Sequence, residues 1–407
     1  MSTLISNGLI IDPSVGRREI GDVFIKNGRI ADLETARDVI KTQHIIDATD
    51  KWVVPGLIDM HVHLRDFEQA YKEDIRTGLE AAARGGFTAV VAMANTNPVC
   101  DNADMIRQQI LKADEAKFSR LLPVSSITKG MNGKCLVDVG KNLYAGAVAF
   151  SEDGKSVEDA DVLGWFMQHL QQFVPKDSRG VPVLDHCDDV KGEEYYVNRD
   201  IMLAKQAGCR IHLQHISTAE SVELIRKAKK EPWGHLVTAE AAPHHFTLTD
   251  ADFEKHGPNA KMAPPLRTEA DRQAIINGLL DGTIDCIASD HAPHAPREKT
   301  DEKSMNGIIG LETSLGLSLT ELYHKGLLSD MEIIQKMSTN PAHILNLMGG
   351  TLAVGTPADI TIIDPNKKWI VNSKKFASKS KNMPYEGLKL VGLATHTIRG
   401  GDVIFQR

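Results

Sequence analysis

A chain of 407 residues, 42% hydrophobic and 25% charged, has room for one large domain and a small companion, and its composition is that of an ordinary globular protein. Its formal net charge of −7 speaks against a nucleic-acid or anionic-membrane surface, which needs a basic face. No stretch approaches about 18 consecutive apolar residues, and Met1–Ser14 has no basic segment followed by an apolar core, so neither a membrane span nor a signal peptide is expected.

The chain opens on short strand-like runs, Leu4-Ile5, Leu9-Ile10-Ile11 and Val23-Phe24-Ile25, with a turn at Asn27-Gly28. A regular alternation of strand and helix follows. The strand candidates are Gly56–His61, Phe87–Met93, Leu121–Ser125, Ala145–Phe150, Val181–His186, Arg210–His215, Leu236–Ala241 and Ile284–Ser289. Several are continuous apolar runs, as strands buried on both faces of a parallel sheet should be. Helical spacing is visible over Ile75–Arg84, Ala103–Ala116, Val157–Phe173, Ser221–Lys229 and Glu269–Leu280, and only weakly near Gly130–Gly140. Eight such units predict a (β/α)8 barrel, and the lack of a Gly-rich loop after the first strand weakens a dinucleotide-binding alternative.

Lysines 367, 368, 374, 375, 379 and 381 read as a solvated basic loop. The last stretch resembles the first, with strands at Ile360–Ile363, Trp369–Val371, His396–Arg399 and Val403–Phe405. Neither end carries enough apolar residues for a core, so the two are expected to pack as one small β-sandwich. The expected boundaries are 1–54 with 350–407 for the sandwich and 55–349 for the barrel. The five cysteines are scattered without CxxC spacing, which fits a reducing compartment, by default the cytoplasm.

The chemistry is written at the strand ends. Buried strands should not finish in charged or metal-binding groups without reason, yet the first ends in His61-Val62-His63, the fifth in Asp185-His186, the sixth in Gln214-His215 and the eighth in Asp290-His291, while Ser151-Glu152-Asp153 follows the fourth. In a (β/α)8 barrel these ends converge on one mouth. Two histidines two apart on a strand share a face and can grip one ion, although two core histidines would look the same. His61, His63, Asp153, His186, His215 and Asp290 together make a ligand set for two ions. His244 and His245 could support that set, whereas His212, three residues before His215, is expected to face the outer helices.

The strings Pro55–Asp66, Tyr71–Asp74, Asn95-Thr96-Asn97-Pro98, Asp290–His294 and Gly307–Thr313 resemble dihydroorotases of the bacterial zinc type, and the likeness spans nearly the whole chain. The resemblance implies one or two Zn2+ ions, the first held by His61, His63 and Asp290, the second by His186 and His215, with Asp153 bridging and Glu152 as an alternative. It implies Asp290 as the catalytic acid–base. It further implies substrate contacts from His63, Arg65, Asn95, His294, Asn306 and Gly307. The substrate would be dihydroorotate or N-carbamoyl-L-aspartate, with aspartate transcarbamoylase a possible partner and a homo-oligomer a possible state. Ala94 and Ala263 depart from the family, standing where it has a proline and a substrate-contacting asparagine. Two rivals are a hydantoinase- or allantoinase-like cyclic amidase and a non-catalytic homologue supporting aspartate transcarbamoylase.

Overall fold

In the computed structural model, which describes residues 2–32, 44–175, 179–300 and 304–407, a parallel sheet of eight strands forms the barrel. Its strands are Leu57–Val62, Phe87–Ala92, Arg120–Ser125, Ala149–Phe150, Val183–Asp185, Ile211–Leu213, Val237–Ala241 and Cys286–Ile287, hydrogen-bonded in chain order. At the mouth the first and eighth units meet, where the His63 N–H donates to the His291 carbonyl at 2.8 Å.

The alternation of each strand divides its side chains between two cores. Ile58, Met60, Val91, Met93, Val124, Leu184 and Ala288 fill the barrel, plugged by Ala342, Ile344 and Leu345. Leu57, Val90, Leu121, Phe150, Val183, Ile211 and Leu213 pack outward on the helices. Register between the first two strands slips between Asp59 and Val62. The slip lets the adjacent Met60 and His61 both turn inward, one into the barrel core and the other into the strand-end cluster.

Helices Ile75–Gly85, Ala103–Ala116, Ala160–Leu170, Ala219–Lys229 and Glu269–Leu280 cover the barrel, each opened by an Asp, Asn or Thr cap. Two local expectations need correction, and one helix was not anticipated. Ala145 is no strand residue; it ends a helix, Val139–Ala145, that stops at Gly146 with φ 112°, and only Ala149–Phe150 pair as strand. The weak helix expected near Gly130–Gly140 is this one, shifted downstream. A further helix, Glu193–Ala207, has an apolar stripe interrupted by the buried Glu193 and Asp200.

The two ends of the chain join in a single eight-stranded sheet. Its order runs Asp402–Gln406, Lys389–Arg399, Ile360–Ile370, Trp52–Pro55, Ser2–Asp12, Arg17–Lys26 and Arg29–Ala31, with His44–Asp47 beside Ser2–Asp12. The N- and C-terminal parts meet where Trp52–Pro55 pairs antiparallel with Ile360–Ile363. Ile5, Ile10, Val23, Ile25, Val53, Ile360, Ile362 and Ile398 share its core. Between Ile370 and Lys389 the chain leaves this sheet and packs Val371, Met383 and Tyr385 against Ile308 and Ile309.

Candidate active site

The six histidines and aspartates expected at the strand ends come together. His61 Nε2 lies 3.2 Å from Asp153 Oδ1 and 3.6 Å from Asp290 Oδ1. His63 Nε2 is 3.3 Å from Asp153 Oδ2 and 3.4 Å from Asp290 Oδ1. His186 Nδ1 and His215 Nε2 stand 2.9 Å apart, at 3.3 and 3.6 Å from Asp153 Oδ1. All six are buried. His215 (φ 34°) and Asp290 (φ 47°) hold left-handed backbone conformations, local strain of the kind that gathers at functional sites.

The protonation pattern tests whether this set suits a cation. Glu240 accepts from His61 Nδ1 at 2.8 Å, and Asn95 Oδ1 accepts from His63 Nδ1 at 2.8 Å. Each acceptor fixes its ring with the proton on Nδ1, so both Nε2 lone pairs point at carboxylate oxygens. Lone pairs facing anionic oxygens repel unless positive charge lies between them. Burial disfavours the charged form of His61, yet Asp153 and Asp290 outweigh it and push its pKa well up. The same neighbours pull in the other direction on the carboxyls: burial raises Asp153 and Asp290, but the surrounding histidines hold both well below the usual carboxylate range. The donor set calls for concentrated positive charge, and His61–His63–Asp290 and His61–Asp153–His215 each bring three ligand atoms within 4.8 Å of one another.

Glu152 turns away from the cluster, its Oε1 accepting from Thr128 N at 2.7 Å, so only Asp153 of the two faces the histidines. His212 is a correction. It points into the barrel, with Nε2 at 3.0 Å from Glu240 Oε2 and Nδ1 at 2.9 Å from Thr238 Oγ1, while Ile211 and Leu213 face the helices. The parity argument failed because His215 has already left the strand. Glu240, at the end of the seventh strand, was not singled out from the sequence. It joins His61 to His212, and the signal for it was a lone carboxylate inside the apolar run Val237–Ala241.

A cavity of about 390 Å³ opens beside the cluster, and His63, Arg65, Asn95, His294, Asn306 and Gly307 all line it. Arg65, Asp66 and Phe67 stand in succession at φ 55°, 52° and 47°, a turn held by Asp66 accepting from Ile75 N at 3.0 Å and pairing with Lys112 at 2.7 Å. Arg65 is only 9% exposed. Its Nε donates to the Pro293 carbonyl at 3.3 Å, and its Nη2 lies 3.4 Å from His294 Nε2. No carboxylate of the described residues pairs with it within 4.0 Å; the ion pair nearby is Lys72–Glu298, at 3.0 Å. Burial depresses the Arg65 pKa, and burial together with Arg65 and Lys72 pushes His294 down to about 3. His294 Nε2 sits 2.7 Å from the Asn306 carbonyl, so the neutral ring carries its proton there. Of the departures from the family pattern, Ala263 lines the cavity, whereas Ala94 is buried among Cys100, Met105 and Ile106.

The amidohydrolase family model matches residues 52–403. Over all of this chain and 99% of their own lengths, the dihydroorotases of Trichlorobacter lovleyi and Pelotomaculum thermopropionicum are 42% and 43% identical to it; the dihydroorotase of Aquifex aeolicus is 40% identical over the whole of both chains. Among solved structures, the L-hydantoinase (dihydropyrimidinase) from Arthrobacter aurescens superimposes with a TM-score of 0.89 at 26% identity, covering 99% of this chain and 96% of its own. The dihydropyrimidinase from Brevibacillus agri, at 20% identity and TM-score 0.84, shares the fold over all of this chain and 95% of its own. The chain belongs to the amidohydrolase family and, within it, to the dihydroorotases.

Proposed function

We propose that this protein is a metal-dependent dihydroorotase that interconverts dihydroorotate and N-carbamoyl-L-aspartate for pyrimidine synthesis, working in the cytoplasm with one or two zinc ions. The observation that carries this reading is Arg65, a buried cation without a described carboxylate partner, on the wall of the cavity that also touches the histidine–aspartate cluster. A cyclic amide bearing a carboxylate suits both features at once.

His61, His63 and Asp290 would hold one ion, His186 and His215 the other, with Asp153 between them. Bound there, zinc supplies a water acidified towards a pKa of about 7 and a polarised amide carbonyl. Arg65 offers a planar fork to the substrate carboxylate, and Asn95 and His294 border it. Asn306 and Gly307 line the same cavity and would flank the substrate ring. Asp290 takes the proton of the attacking water and returns it to the departing ring nitrogen; ring closure uses the same groups in reverse. His63 is held by Asn95, whose Nδ2 also donates to the Asp153 carbonyl at 3.0 Å, so one amide ties the cluster to the cavity wall.

Turnover of dihydroorotate by zinc-loaded protein, with a chelator control and with hydantoin and allantoin as competitors, tests the reading. Preference for hydantoin or allantoin would replace it with the cyclic amidase alternative. A protein that holds no metal and turns over none of these, yet co-purifies with aspartate transcarbamoylase, would be the non-catalytic homologue.

A further inference from the structure

The lysine-rich stretch has an inner face. Ser378, Ser380 and Asn382 are 2%, 3% and 5% exposed, whereas Lys379 and Lys381 between them are exposed, so burial alternates along 378–382 and leaves this ribbon with one polar edge turned in. That edge grips both loops of the cavity wall. Ser380 Oγ donates to the Lys72 carbonyl at 2.8 Å. Ser378 Oγ and, at 3.2 Å, the Lys379 N–H donate to Glu73. These bonds hold the end of the loop that begins at Arg65.

Asn382 holds the opposite loop. Its Nδ2 donates to the carbonyls of Ala292 at 3.1 Å and Gly307 at 3.0 Å, while Oδ1 accepts from His294 N at 3.1 Å. Two carbonyls and one N–H around a single side-chain amide permit one orientation only, and it uses every donor hydrogen. The Asn382 carbonyl also accepts from Ile309 N at 2.9 Å. None of these bonds reaches a member of the histidine–aspartate cluster.

We propose that the 378–382 ribbon is a strap that sets the substrate-recognition wall of the site, with Asn382 as a positioning residue acting through His294 and Gly307. This rests on the reading of those two residues as substrate contacts. Loosening the strap moves the groups that orient the substrate and leaves the groups that do the chemistry in place. The expected signature is a split between KM and kcat.

The test uses full-length, zinc-loaded protein. Asn382→Ala removes all three side-chain bonds, and Asn382→Asp sets an acceptor against two carbonyls. In both, KM for dihydroorotate should rise about tenfold or more while kcat stays within about threefold and zinc content is unchanged, the pattern of lost binding that is equal in the ground and transition states. Ser380→Ala, which removes one bond, should raise KM by a few-fold and serves if the Asn382 variants do not fold. KM values within about twofold of the parent across the folded variants would overturn the proposal. Hydrogen exchange over 292–309 decides it even if the parent does not turn over dihydroorotate. The amides of Ala292, His294, Ala295 and 306–309 should exchange faster in the variants, and unchanged exchange there would overturn the strap whatever the substrate is.

Discussion

Replacing Arg65 by methionine should act in opposite directions on binding and on stability. The guanidinium is almost wholly buried, one of its nitrogens satisfied by the Pro293 carbonyl, with no described carboxylate pairing with it. Two charge-assisted bonds to a substrate carboxylate, at about 1.5–3 kcal/mol each, together contribute roughly 3–6 kcal/mol. Their loss should raise KM for dihydroorotate between about a hundred- and ten-thousandfold. The same substitution removes a buried charge whose effective desolvation penalty is of the order of several kcal/mol, so the substrate-free protein should melt no lower than the parent. Arg65→Lys keeps the charge but not the fork, and its KM should fall in between. Steady-state kinetics and thermal melts with and without substrate measure both effects. A KM within about threefold of the parent in Arg65→Met, or a large loss of substrate-free stability, would refute the assignment of Arg65 as an anion receptor.

Asp290→Asn should lower kcat by about three orders of magnitude with the fold intact by circular dichroism, as removal of a general acid–base does; near-normal turnover would dismiss its role. Glu240→Gln should weaken zinc binding by about 10- to 100-fold in a competition titration with a chelator, because Glu240 fixes the His61 ring from behind. Glu312 gives a pH test away from the metal ligands. Burial raises its pKa to about 7 against the bonds from Ala377 N and Ser378 N, so its folded value exceeds its ordinary value of 4.5. The stability it contributes is therefore complete below about 4.5 and lost as pH climbs through about 7. Glu312→Gln keeps an acceptor for Ala377 N, and its melting temperature relative to the parent should be level at pH 5 and higher at pH 8; a difference that does not grow with pH would contradict the assignment.

The barrel and its histidine–aspartate cluster were readable because of contrast. Strands such as Phe87–Ala92 are apolar but for Thr88, and a histidine or aspartate at the end of such a strand stands out without any knowledge of what lies across the mouth. Where contrast faded, so did legibility. Ala145 to Phe150 offers small apolar residues to either a strand or a helix, and Gly146 decided in favour of a helix end. His212 followed a parity rule that holds only while the backbone stays extended, and the left-handed turn at His215 broke it. Glu240 and Asn382 have partners 179 and 88 residues away, His61 and His294, and no local pattern announces them. Ser378, Ser380 and Asn382 alternate with lysines, which from sequence alone gave only a solvated loop.

The choice between dihydroorotase and hydantoinase-type chemistry turns on the loops, not on the barrel. The L-hydantoinase from Arthrobacter aurescens shares nearly the entire architecture at a TM-score of 0.89, so the barrel and the sheet beside it do not discriminate. What discriminates is where this sequence places uncompensated charge. Three consecutive left-handed residues and a buried guanidinium with no carboxylate within 4.0 Å among the described residues oppose folding. A site for an uncharged ring gains nothing by retaining them. In a site for an anion the same destabilisation would return as affinity, the carboxylate of the proposed substrate supplying the partner that Arg65 lacks among the described residues.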